Sequence, residues 1–75
     1  MNEQIWRQTM EDVFQAVNKW VEEQDPRPTE EEVASYAKAY YERVRFQVEG
    51  LDWPRLVLVV DKDTSLVKSV GGMDR

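Results

Sequence analysis

Seventy-five residues, 41% apolar and 33% charged, make one small domain at most and have the balance of a soluble globular chain rather than of a disordered tail. With no cysteine and no histidine, disulfides and thiolate metal sites are excluded, and the commonest general base and transition-metal ligand are missing. The net charge of −5 sits in residues 1–32, with nine acids against three bases, whereas residues 33–75 hold six acids and seven bases; scattered bases in a negative field argue against nucleic-acid binding.

The N-terminal residues Met1 to Gln4 lack the basic and apolar regions of a secretory signal. The longest unbroken apolar run, Leu56 to Val60, is far shorter than the roughly 18 residues of a membrane span. A cytoplasmic protein with no membrane contact is expected.

Along residues 3–24, Trp6, Met10, Val13, Val17 and Trp20 step by four, three, four and three, and Phe14 and Val21 widen the stripe to an arc of about 120° at 3.6 residues per turn. Ile5 and Ala16 edge this arc, and Glu11, Gln15, Asn18 and Glu22 oppose it. The pattern predicts an amphipathic helix. Asp25-Pro26-Arg27-Pro28 ends it, because proline has no backbone donor and biases its predecessor away from helix. So short a connection joins antiparallel neighbours.

Thr29 and Glu32 have the spacing of a capping box, and Glu30 and Glu31 stand at the positive end of the helix dipole. A second helix over about 29–47 follows, with Val33, Ala37, Tyr40, Tyr41, Val44 and Val48 inward and Ala34 at the margin. Phe46 breaks this stripe, about 180° from Ala37. Gly50 is the expected C-terminal cap.

Residues 55–60 read as a strand, apolar at every position from Leu56 to Val60, the pattern of a strand covered on both faces. Asp61-Lys62-Asp63-Thr64 supplies turn chemistry, residues 65–70 a second and more polar strand, and residues 71–75 a loose tail. The expected fold is therefore α+β, two antiparallel amphipathic helices packed on a C-terminal antiparallel β-hairpin in the order ααββ. A two-stranded ribbon leaves edges open and is marginal in water, and two helices blanket only one of its faces. A homodimer through the hairpin is the leading expectation, with Phe46, Trp53, Val57, Val59, Leu66 and Val67 as its interface.

Nothing in the chain points to an enzyme, a cofactor or a catalytic residue. Asp61-x-Asp63-x-Ser65 carries the first oxygens of a calcium loop, but Leu66 stands where that loop needs glycine and Gly72 where it needs a bidentate glutamate. Gly71-Gly72 precedes no helix and so makes no phosphate loop. Arg43, Arg45 and Arg55 with Tyr40, Phe46 and Trp53 read as core aromatics covered by arginine stems rather than a base-stacking platform. The alternative function is an acidic inhibitor or adaptor, phage-like in scale, that mimics nucleic acid and docks on a basic protein surface through Glu22, Glu23, Asp25, Glu30, Glu31 and Glu32.

Overall fold

The stripe from Trp6 to Val21 forms helix α1, Asn2–Glu23, and the capping-box segment begins helix α2, Glu30–Gln47. Strands β1, Arg55–Val60, and β2, Val67–Met73, complete the order helix, helix, strand, strand. The computed structural model describes residues 2–48 and 53–73; the expected cap at Gly50 lies outside them, as does the end of the expected tail.

α1 turns Met10, Val13, Val17 and Val21 inward, all essentially inaccessible to solvent. Thr9 is buried beside them because its hydroxyl donates to the Ile5 carbonyl four residues back, at 2.9 Å, which satisfies the group without water. At the start of α2 the Glu32 amide donates to Thr29 Oγ1 (3.2 Å) and the Thr29 amide to Glu32 Oε1 (2.9 Å), so two otherwise orphaned donors are paired. Val33, Ala37 and Tyr41 form the buried stripe of α2. Trp20 and Tyr36 stack between the helices with ring centroids 4.2 Å apart. Ala34, expected at the margin of the buried face, is exposed.

The strands pair antiparallel, Val57 opposite Gly71, Leu58 opposite Val70 and Val59 opposite Ser69. Val60 then pairs with Val67, so Lys68 is the extra residue of a bulge. Strand side chains alternate between faces. Leu56, Leu58 and Val60, with Val67 and Val70, pack on the helical core, and Val57, Val59, Ser69 and Gly71 take the opposite face. α1 lies over β2 and α2 over β1.

β2 differs from the expected strand at both ends. It starts at Val67 because Ser65 holds a left-handed φ of 65° and donates through Oγ to the Pro28 carbonyl at 2.6 Å, which keeps residues 61–66 in the connection. It continues to Met73, so residues 71–73 are strand and not tail. Gly72 permits this: a Cβ there would lie 2.6 Å from Pro54 Cγ, and only glycine lets the strand pass so close.

The connection is tied at Asp61. Its amide donates to the Leu66 carbonyl (2.8 Å), and its Oδ1 accepts from the amides of Asp63 (2.8 Å) and Thr64 (3.4 Å). These backbone donors hold the Asp61 carboxyl below the ordinary aspartate value, helped by the charge of Lys68. A lowered folded-state pKa favours the folded state while the group is ionised. That stabilisation is complete above an unfolded value of about 4 and fades as pH falls through the lowered one. The advantage of the parent over Asp61→Asn, which keeps an acceptor but does not titrate, should therefore shrink between about pH 5 and pH 2. Urea unfolding across that range measures it, and an advantage independent of pH would contradict the assignment.

Candidate interaction surfaces of the hairpin

The alternation of β1 divides its apolar run into two surfaces. Leu56, Leu58 and Val60 are half-buried against the helices. Val57 is half-buried and Val59 is 51% exposed on the outer face, where neither helix reaches. Beside Gly71, opposite Val57, none of the described residues other than its chain neighbours comes within 4 Å of the position a Cβ would take, so the outer face is open around it.

The other residues expected at an interface go elsewhere. Val67 is only 3% exposed and belongs to the chain's own core, since the bulge turns it toward α1. Asn18 holds it there by accepting from the Val67 amide at 2.7 Å and donating to the Val67 carbonyl at 3.2 Å. Leu66 and Trp53 are half-buried and pack on the same core. The Trp53 indole donates to the Val48 carbonyl at 3.3 Å and its ring meets Tyr41 edge-on at 5.7 Å. Phe46 is 86% exposed, but nine residues beyond buried Ala37 it points about half a turn away from the core, on the far side of the molecule from the outer sheet face. Of the six residues, Val57 and Val59 share that face.

A groove runs beside each edge of the hairpin. Between α1 and β2, Trp6, Met10, Phe14 and Val70 line a space of about 390 Å³. Between α2 and β1 a space of about 390 Å³ has Leu56, Leu58, Tyr41 and Ala34 as its apolar lining and Lys38, Glu42, Arg45 and Arg55 around them. Paired grooves follow from spacing: packed helices lie 8–10 Å apart and paired strands about 4.8 Å apart, so two helices over two strands overhang both edges. Within the second groove Arg45 pairs with Glu42 at 3.0 Å. Among the described residues Lys38 and Arg55 have no ion-pair partner.

Tyr41 lines this groove, and its hydroxyl donates to the Pro54 carbonyl. Burial raises its pKa above the ordinary tyrosine value, the nearby Arg45 opposing and Glu42 adding to the shift. Arg43 lies over the Tyr40 ring and Arg45 over Tyr41, at 5.5 and 5.9 Å, so these guanidinium groups cover the chain's own rings.

Glu22, Glu23, Asp25, Glu30, Glu31 and Glu32 are all exposed around the turn between the helices. Arg27, the base within that turn, donates to the Thr64 carbonyl at 2.9 Å and so ties the turn to the hairpin. Glu32 is engaged in the capping box, and Glu30 and Glu31 lie in the first turn of α2, where the helix dipole favours them. Among the described residues no three carboxylates gather to hold a metal ion, and no helix is long and apolar enough to cross a membrane. Comparison with known proteins returns no match among family models, curated proteins or solved structures.

Proposed function

We propose that this protein is a small interaction module that self-associates through the outer face of its hairpin, two sheets stacking back to back around Val57 and Val59. The supporting observation is the 51% exposure of Val59 beside half-buried Val57 on a face that neither helix covers. Stacked sheets sit about 10 Å apart with interdigitated side chains, and open Gly71 leaves room for a side chain from the second copy. The face is modest. Strand dimensions give roughly 20 by 10 Å, well below the ~800 Å² per partner of a standard stable interface. The dimer is accordingly reversible and concentration-dependent.

The acidic turn supports a second reading less well. Three of its six acids already have a role at the start of α2, Glu32 in the capping box and Glu30 and Glu31 at the positive end of the helix dipole.

Sedimentation velocity over a dilution series should show the mass rising from 8.9 kDa toward twice that value. Val59→Lys should hold the protein at the monomer mass, with stability at low concentration changed by less than about 0.5 kcal/mol because the site is exposed. A monomer at every concentration, or a Val59→Lys protein that dimerises like the parent, overturns the reading.

A further inference from the structure

We infer that the groove between α2 and the free edge of β1 is a strand-addition site for an extended peptide segment that alternates apolar and acidic residues. Four observations converge there. Among the described residues β1 pairs only with β2, so its other edge presents a row of backbone donors and acceptors. The groove beside that edge holds about 390 Å³, and the overhanging α2 forms a wall for whatever enters. Its lining is apolar, with Leu56 and Leu58 on the strand side and Ala34 and Tyr41 on the helix side. Lys38 on one wall and Arg55 on the other are unpaired cations, among the described residues, in a chain of net charge −5.

An added strand alternates its side chains with a period of two. Apolar residues at one parity face Leu56 and Leu58 under α2, and carboxylates at the other parity, on the face Arg55 shares, meet its guanidinium. Lys38, on the helical wall, adds to the positive field that favours an acidic segment. Backbone pairing supplies affinity and the alternating pockets supply selectivity, as in other cases of strand addition.

A second copy of this chain fits the groove poorly. Antiparallel pairing of β1 with its counterpart would bring the other copy's α2 over the same pair of strands, into the space that α2 already fills. A peptide without a helix of its own meets no such obstacle. The inference does not depend on the outer-face dimer, because edge and face are different surfaces and a monomer would bind the peptide equally; the two proposals fail separately.

The test is a titration of the ¹⁵N-labelled full-length chain with a synthetic heptapeptide of alternating valine and glutamate. Two controls accompany it: a valine–lysine heptapeptide, and the valine–glutamate heptapeptide N-methylated at alternate residues. Saturable shifts are expected at the amides of residues 55–60 and at Ala34 and Lys38, with little response to either control. The double variant Lys38→Glu with Arg55→Glu, both at exposed positions, should weaken binding at least about tenfold through charge reversal alone. The proposal is overturned by absent shifts, by shifts centred elsewhere, or by equal binding of either control peptide. Contacts between β1 strands of two copies in the peptide-free protein would overturn it as well.

Discussion

Replacing Tyr41 by alanine should cost about 3–5 kcal/mol, at least a quarter of the stability of the fold. Tyr41 is 2% exposed and is the largest of the fully buried side chains. It joins three parts of the chain: its ring sits in the α2 stripe, packs edge-on against Trp53 and donates through its hydroxyl to the Pro54 carbonyl. Truncating a buried aromatic to alanine costs about 3–5 kcal/mol. At 0.05–0.15 kcal/mol per residue, the total stability of a domain this size is on the order of 4–11 kcal/mol. Tyr41→Phe keeps the ring and removes only the hydrogen bond, so it should cost about 1–2 kcal/mol. Urea unfolding followed by tryptophan fluorescence separates the two, and equal losses would mean that the bond to Pro54, not the ring, anchors β1. A pH series adds a further check. Because burial raises the Tyr41 pKa, the folded state prefers the neutral phenol; that preference holds below an unfolded value of about 10 and is lost as pH rises through the raised one. The parent and Tyr41→Phe should therefore converge in stability at strongly alkaline pH.

Much of the scaffold was legible because its signals are local. The three-and-four spacing from Trp6 to Val21 needs only one helix to be read, and the Thr29–Glu32 box needs only four residues. The strand of residues 55–60 was equally plain as a strand. Its orientation was not: a run apolar at every position says nothing about which parity the helices cover, and that parity decides that Val59 is exposed and Leu58 is not. The bulge at Lys68 reverses the parity of β2 in the same way, and so Val67, expected outside, lies in the core. Phe46 breaks the stripe of α2, which left open whether the helix ends near Arg45 or continues with Phe46 turned elsewhere; α2 continues to Gln47. The distance of Phe46 from the outer sheet face depends on the packing of α2 on β1, which no helical projection contains.

The glycines misled for a related reason. Two adjacent glycines look like a loose end, yet Gly72 is what allows β2 to run beneath Pro54, a contact between segments eighteen residues apart. The grooves were invisible for a different reason, since they arise from the mismatch between helix and strand spacing and not from any residue pattern. Of the two bases that flank one of them, Arg55 reads in sequence as a stem covering aromatic rings, and Lys38 belongs to no motif.

The residue most thoroughly misread was Asn18, assigned by helical periodicity to the polar side of α1. It is half-buried, and its side-chain amide forms a two-way pair with the backbone of Val67, forty-nine residues away. The pair fixes β2 to α1 at the bulge, where Val67 must turn inward. Asn18→Ala removes both partners at once. A buried backbone donor or acceptor left unsatisfied costs about 1–3 kcal/mol, so the variant, which orphans one of each, should lose about 2–6 kcal/mol, more than other changes on the polar side of α1. Asn18→Asp probes direction. The carboxylate can still accept from the Val67 amide but sets negative charge against the Val67 carbonyl, so at neutral pH it should be destabilised; protonation restores a donor, and its deficit should narrow as pH falls below about 5. Hydrogen exchange gives the local readout. The Val67 amide should exchange faster in Asn18→Ala than in the parent by a larger factor than the Leu58 amide does. Uniform acceleration across β1 and β2, or a stability loss below about 0.5 kcal/mol, would show that the bulge is held by apolar packing alone.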